Sequence, residues 1–439
     1  LLAAGGGSAK TKTKNTNTEL MEAYIAYFLI VAIVQGLELF LYLTPPLPHE
    51  AVILCSTTSP GALILLFNLY SKDDFPRLFE SYYWNAGLAW TSMSLVLYCY
   101  LLLRSKAKSR FPPLVIPWRR RGQTLFTMIC WPMPIWGLIA IFFLLAHKWA
   151  RWPYIVWELY VVFIDKTPSR GGWRKRRWWT ASLPMRLCCE FFPCSLVKEV
   201  DLDPGRRYIF GYHPHGILSI GAWCQFCTEG TGLSETFPGL EIRLMTLKQI
   251  FWTPIFRWFL MMGGGIDVSK ESIAHQMKTP GNAVVIIVGG AVESLDTAPG
   301  TMDLTLRRRL GFVKQALLHG ADLVPVLSFS ENDLFETVAD DKNLRMKAIQ
   351  KRLQKMLSVA FPIFHGRGMF NYSFGLLPYR RPITTVVGPP LRAGEAPVPA
   401  PTLQQVAELH ARYMDALRKL YDRHKDRCAP GRKRDLVIK

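Results

Sequence analysis

The sequence predicts an α/β fold over residues 180–439, a mostly buried sheet flanked by helices, preceded by hydrophobic transmembrane helices and a membrane hairpin. Three observations carry this. Short apolar runs, of which Ala283–Val288 inside Asn282–Gly289 is the plainest, mark strands covered on both faces. Amphipathic helical stripes alternate with them, as a single layered α/β domain requires. Upstream of residue 165 the texture differs, with long apolar stretches set between basic flanks.

Taken in order, residues 1–18 are rich in Gly, Ser, Thr, Lys and Asn and cannot build a core, so they read as a disordered tail. Residues 19–103 read as hydrophobic membrane segments. Leu20–Leu43 is long enough to span a bilayer, with Gln35 and Glu38 as polar interruptions; Ala51–Tyr70 and Trp84–Leu103 follow. Residues 104–123 read as a basic cytosolic linker, since Arg104–Arg121 holds seven Lys or Arg and no acid. Cationic loops stay on the cytosolic side. Three full spans would separate Lys10, Lys12 and Lys14 from that linker. Either 51–70 does not cross, or the tail is lumenal.

Residues 124–165 read as a membrane hairpin. Thr124–Ala146 is its hydrophobic arm, kinked by Pro132 and Pro134, and Tyr154–Ile164 is a return arm too short to span upright. Basic residues flank both ends, and Trp173, Trp178 and Trp179 are placed as interfacial anchors.

Beyond residue 180, Tyr208-Ile-Phe forms a strand that Gly211 and Pro214 break, leaving His213 and His215 at a strand end, where α/β folds keep their chemistry. Asp322–Phe329 and Ile383–Val387 are further strands. Leu306–His319, Asp341–Val359 and Thr402–His424 are helices; the last carries Leu403, Val406, His410, Tyr413, Leu417 and Leu420 on one face. Residues 394–401 form a stiff Pro-rich linker. Glycine clusters recur after strands, at Gly263–Gly265, at Gly289 and Gly290 before Glu293, and at Gly366 and Gly368. Such glycines allow close backbone approach to a ligand and leave amides free for anionic oxygens.

Half of the residues are hydrophobic and the net charge is +20. That charge fits an anionic membrane surface, and no zinc-finger, RNA-binding or homeodomain signature points to nucleic acid. The nine cysteines show no disulfide framework. Cys224 and Cys227 form a CxxC with no second pair at zinc-ribbon distance, so no metal is expected and they read as small buried hydrophobes.

The series Tyr208–Gly216 (Tyr-Ile-Phe-Gly-Tyr-His-Pro-His-Gly), Phe237-Pro-Gly239, Gly289-Gly-Ala-Val-Glu-Ser294, Gly311-Phe-Val-Lys314 with Leu323-Val-Pro325, Phe364-His-Gly-Arg-Gly368 and Pro382–Gly388 resembles the type 2 acyl-CoA:diacylglycerol acyltransferases. That family also holds monoacylglycerol and wax-alcohol acyltransferases. Residues 19–103 and Ser330, where a glycine commonly follows Ser-Phe, depart from the pattern.

The resemblance implies transfer of a fatty acyl group from acyl-CoA to the hydroxyl of diacylglycerol. Acyl-CoA is then a substrate and no cofactor is needed. Membrane lipids are the surrounding partners, and the sequence is silent on oligomeric state. The setting it implies is the endoplasmic reticulum membrane, with lipid droplets as a further surface and the catalytic domain on the cytosol.

An alcohol attacking a thioester needs a base for its proton, and no covalent intermediate. His213 and His215 are the candidates, with His215 preferred because Gly216 leaves room beside it. Glu293 is a candidate to orient the imidazole; a carboxylate at a helix N-terminus is its alternative reading. Substrate contacts are expected from Gly216, Phe237, Pro238, Gly239, Gly289, Gly290 and His365. Arg307, Arg308, Arg309, Lys314, Arg367, Arg380 and Arg381 are candidates for the coenzyme A phosphates. Two other chemistries fit less well. Leu218 and Ile220 stand where a His-x4-Asp dyad would place its aspartate, and Gly216-Ile-Leu-Ser219-Ile-Gly221 has one residue too many for a serine-hydrolase elbow. A non-catalytic membrane scaffold is the competing class.

Overall fold

The computed structural model describes residues 116–173, 175–337, 362, 364–368, 372, 375–394 and 396–439. The expected tail at 1–18, the segments at 19–103, most of the linker and the helix at 341–359 lie outside the described residues.

Seven strands make one sheet: β1 (Ser195–Lys198), β2 (Tyr208–His213), β3 (Glu241–Thr246), β4 (Ile266–Asp267), β5 (Asn282–Ile287), β6 (Asp322–Phe329) and β7 (Thr384–Val387). Their spatial order is β1-β7-β6-β2-β5-β3-β4. From β6 through β4 every neighbour is parallel, whereas β7 runs antiparallel to β6. β2 therefore lies in the middle of the sheet, with Gly211 opposite Pro325 on one side and Ile286 on the other.

Alternation along β2 divides the core into two layers. Ile209 points to the layer containing Val284, Leu323 and Val386. There it meets α9 (Gly311–His319) and α10 (Leu403–Cys428) through Val313, Val406, Leu409 and Leu417. Tyr208, Phe210 and Tyr212 point to the other layer, against α5 (Ile220–Phe226) and Phe237. α10 starts in a capping box: Thr402 Oγ1 accepts from Gln405 N at 3.2 Å, and Thr402 N donates to Gln405 Oε1 at 2.9 Å.

Two helix boundaries differ from the sequence reading. α9 begins at Gly311 rather than Leu306, because the backbone N–H groups of Leu306 and Arg307 both donate to the Lys439 carbonyl, at 3.0 and 2.8 Å. That tail pairs Val437–Ile438 with Asp303–Leu304. Leu403, expected on the buried face of α10, sits in its first turn and is exposed.

Ahead of the sheet come α1 (Trp118–Cys130), α2 (Met133–Ala146), α3 (Arg151–Leu159) and α4 (Leu183–Phe191). α1 takes in Arg119–Arg121, which the sequence assigned to the linker, with Pro117 as its N-cap. Among the described residues no single helix is long and apolar enough to cross a membrane, but α1 and α2 pass that test as a pair bent by 51°. The bend falls at the expected prolines. Leu138 and Phe142 on α2 are exposed, as are Trp152 and Val156 on α3. The pair is tied to the α/β body: Trp131 Nε1 donates to the Leu376 carbonyl at 2.9 Å, and Arg119 pairs with Glu190 on α4. Gly137 comes so close to Thr253 that a Cβ would lie 2.2 Å from its methyl group.

Candidate active site

Three adjacent parallel strands deliver the conspicuous polar groups to one edge of the sheet. β2 ends in His213 and leads to His215. β5 leads into α8 (Gly290–Ser294), which carries Glu293, and β6 leads to Glu331. These are carboxyl ends of parallel strands at the centre of an open sheet, the usual location of α/β sites.

His213 is fully buried. Its Nε2 lies 3.1 Å from Tyr413 Oη, and that hydroxyl donates to the Gly211 carbonyl at 3.0 Å. A phenol has one proton, and the carbonyl takes it. Tyr413 therefore accepts from His213, which assigns the proton of this ring to Nε2 and leaves the lone pair on Nδ1. Nδ1 is buried with no hydrogen-bond partner among the described residues. Burial pushes this imidazole down to about 3, so it is neutral at physiological pH. Gly211 is required for the contact, since a Cβ there would lie 2.0 Å from Tyr413 Oη.

His215 is arranged differently. Its ring is partly exposed, and Nδ1 lies 3.1 Å from the Gly216 carbonyl. Because that carbonyl only accepts, Nδ1 carries the proton and Nε2 the lone pair. Burial lowers the pKa of this ring, so it too is unprotonated near neutrality. Gly216, at φ +61°, makes the left-handed turn that ends the loop.

Two buried carboxylates grip the loop from opposite sides. Glu293 Oε1 accepts from the backbone N–H of His215 at 2.6 Å, and Oε2 accepts from that of Thr305 at 2.7 Å. It meets His215 through the peptide rather than the imidazole that the sequence reading had it orient. Gly289 makes room, since a Cβ there would lie 2.2 Å from the carboxylate. Glu331 accepts from Tyr212 Oη at 2.8 Å and from Gly221 N at 3.0 Å. A Cβ on Gly216 or Gly221 would come within 2.8 or 2.1 Å of its side chain. Burial pushes both carboxyl groups up to about 7, with the hydrogen bonds they accept opposing that shift.

The other expected residues separate into groups. Gly289 and Gly290 lie beside Glu293, and the Gly289 carbonyl accepts from Arg309 at 2.9 Å. Arg307 and Arg308 are exposed on the segment held by the Lys439 carbonyl, and Lys314 is exposed on α9. Phe237, Pro238 and Gly239 are not brought to the histidines. They turn into β3 at the amino ends of the strands, where a Gly239 Cβ would touch Pro204. His365 is half-buried in a short ladder opposite Glu336. Arg367 is buried between the rings of Phe191 and Tyr372. Ser219 Oγ donates to the His215 carbonyl at 2.8 Å, the bond of a loop brace.

Sequence reasoning missed Glu331 and the role of Tyr413. Tyr413 read as one more residue of a helical stripe. The signal available for Glu331 was its neighbour Ser330, which adopts the left-handed φ of +68° where the related pattern has glycine. Among the described residues no cluster of His, Cys, Asp or Glu has the arrangement of a metal site. Cys224 instead lies buried in the apolar interior, its carbonyl accepting from Cys189 Sγ at 3.7 Å, with Cys194 packed against the same cluster.

A family model described as diacylglycerol acyltransferase matches residues 142–439. The chain is 43% identical over 335 residues to diacylglycerol O-acyltransferase 2A of Umbelopsis ramanniana, covering 74% of this chain and 93% of that one. It is 42% identical over 341 residues to 2-acylglycerol O-acyltransferase 1 of Bos taurus, covering 76% and 100%. To diacylglycerol O-acyltransferase 2 of Homo sapiens it is 45% identical over 274 residues, covering 62% and 70%. No solved structure matches the chain.

Proposed function

The chain belongs to the diacylglycerol acyltransferase family, and from that premise we propose that it esterifies diacylglycerol with the acyl group of acyl-CoA, releasing triacylglycerol and coenzyme A. As a member of the family it is an acyl-CoA-dependent O-acyltransferase. The observation that carries the mechanism is the His215 ring: partly exposed, with its Nδ1–H turned back onto the Gly216 carbonyl and Nε2 left as the basic nitrogen.

In this reading His215 Nε2 removes the proton of the glyceride hydroxyl as its oxygen attacks the thioester carbonyl. The C–S bond then breaks, and the proton passes to the departing thiolate. No acyl-enzyme forms. General-base assistance of this kind contributes about 10²- to 10⁴-fold. His213 is a buttress under the loop, neutral and held by Tyr413. Glu293 and Glu331 fix the loop by its peptide groups and keep the imidazole in place.

The names of the relatives support either a diacylglycerol or a monoacylglycerol acceptor, and similarity to the bovine 2-acylglycerol enzyme favours the latter as the second reading. The bent α1–α2 pair and the exposed aromatic residues of α3 support a hairpin dipping into the endoplasmic reticulum membrane from the cytosolic side, with lipid droplets as a further surface.

The full chain, purified in detergent, is supplied with labelled acyl-CoA and, separately, diacylglycerol, monoacylglycerol and fatty alcohol. Ester formation is expected from wild type, greatest with diacylglycerol, with a loss of at least about 100-fold in His215→Ala at an unchanged melting temperature. Equal product from wild type and His215→Ala removes the base assignment. No product with any acceptor favours a scaffold. Glycosylation at Asn371 in microsomes would put the domain in the lumen and overturn the topology.

A further inference from the structure

Near the junction of α1, α4 and the 364–380 segment lie two guanidinium groups that the mechanism does not use. Arg367 is only 7% exposed, an unusual burial for a permanent cation. Its backbone is fixed on both sides: Arg367 N donates to the Leu377 carbonyl at 2.7 Å, and Leu377 N returns the bond at 2.9 Å. Gly366 and Gly375 let these chains close, since a Cβ on either would meet the opposite backbone within 2.4 Å. The guanidinium lies 4.1 Å from the Tyr372 ring centre and 5.9 Å from that of Phe191. Arg380 lies 4.4 Å from the Phe191 ring centre, so both cations converge on one phenyl ring.

Neither cation has a carboxylate partner among the described residues. Arg367 Nε donates to the Gly368 carbonyl at 3.2 Å, and Arg380 to the Gln123 side-chain oxygen. The nearby acid, Glu190, is already engaged by Arg119 and Gln123. Burial first, then repulsion from Arg120 and Arg367, lowers Arg380 to about 10. A partly buried pair of like charges held on rigid backbone is unfavourable unless an anion joins it. Arginine forks match phosphate oxygens in geometry as well as charge. Phe191 belongs to the same apolar cluster as Ile217, two residues beyond His215, so one continuous apolar cluster links the cations to the histidine loop.

We propose that Arg367 and Arg380 form a binding site for a phosphate group, placed between the α1 helix and the histidine loop. The shared chemistry is a phosphate ester. The transferase reading makes the phosphates of acyl-CoA one source, and a phospholipid head group at the membrane surface is the other. The site would hold the anionic end of its ligand while the apolar part extends towards the loop.

The test measures equilibrium binding to the full chain in detergent, with no turnover required. The probes are coenzyme A, coenzyme A lacking its 3′-phosphate, and phosphatidic acid in phosphatidylcholine micelles. Arg380→Gln and Arg367→Lys are compared with wild type, with melting temperature as the folding control. Coenzyme A binding is expected to weaken about tenfold or more in Arg380→Gln, the loss of one charge-assisted fork. An equal loss without the 3′-phosphate assigns the diphosphate; a loss confined to intact coenzyme A assigns the 3′-phosphate. Unchanged coenzyme A binding with reduced phosphatidic acid binding assigns the lipid head group. If all three affinities stay within about twofold of wild type in folded variants, the site is overturned. Should Arg380→Gln fail to fold, Arg380→Lys replaces it, and inorganic pyrophosphate must raise the wild-type melting temperature for the proposal to stand. A wild type that binds coenzyme A but forms no ester would sink the transferase reading and leave this one intact.

Discussion

Tyr413 holds His213 Nε2 at 3.1 Å across 200 residues of sequence, and it does so while donating its own proton to the carbonyl of Gly211. One hydroxyl thereby satisfies a buried donor and a buried acceptor on the strand that ends in the histidine loop. Tyr413→Phe leaves the His213 N–H without a partner and should cost about 1–3 kcal/mol. The expected result is a lower urea midpoint and a fall in kcat exceeding any change in KM, because the loop loses its buttress rather than a substrate contact. Wild-type stability in Tyr413→Phe would show that the bond contributes nothing.

The two buried carboxyl groups set a pH dependence whose sign follows from their shifts. Each rises from 4.5 in the open chain to about 7 in the fold. The stabilisation this represents is complete below about pH 4.5 and is lost as pH climbs through 7. The ionised forms, the stronger acceptors for the N–H and O–H groups aimed at them, predominate only above that point. Stability and activity should therefore move in opposite directions between pH 5 and 8. The acid limb of kcat/KM is expected near pH 7 in wild type, above the range of either lowered imidazole. In Glu293→Gln the pH slope of stability should be shallower than in wild type. A limb below pH 6 would assign the titration to a histidine instead.

Ser330 occupies a left-handed conformation at φ +68° that a side chain adopts only at a cost. Ser330→Gly should stabilise the protein by about 0.5–1 kcal/mol, read as a rise in melting temperature, with Glu331 held as before. A fall in melting temperature would mean that the serine hydroxyl contributes more than the strain removes.

Ser219 braces the loop through the His215 carbonyl, a bond of about 0.5–1.5 kcal/mol. Ser219→Ala is expected to keep acyl transfer within about tenfold of wild type. A loss of several orders of magnitude would point to a serine nucleophile and an acyl-enzyme.

The parts of this architecture written in local pattern were legible in the sequence. Asp322–Phe329 has no charged residue after its first position, and it forms a fully buried strand over those residues. The prolines at 132 and 134 foretold the bend between α1 and α2. The two histidines fell at the end of a central strand, which stops before Pro214 as read; Gly211, read as a second breaker, instead lies inside β2, paired on both sides. What stayed hidden depends on pairing between distant residues. Nothing in Thr402–His424 distinguishes Tyr413 from its apolar neighbours, because its value arises only where Gly211 lacks a side chain. Glu331 looked like a turn residue, since the amide it accepts from, Gly221 N, belongs to a helix 110 positions earlier. Glu293 was found by motif, but its partner atom was not: a carboxylate near a histidine in sequence logic proved to bind that residue's peptide. The displacement of Phe237–Gly239 to the far edge follows from strand direction, which no single motif encodes.

The span between Gly211 and Tyr413 also bears on when the protein can begin to work. A nascent chain that has reached residue 400 already contains both histidines, both carboxylates and all seven strands of the sheet. It has no group to take the proton of His213, and the face of the sheet bounded by Val284 and Leu323 is still open to water. Synthesis of the helix at 403–428 supplies both in one step. Partly made chains would thus hold the histidine loop without its support, and competence would arrive late, with the arrival of a single tyrosine.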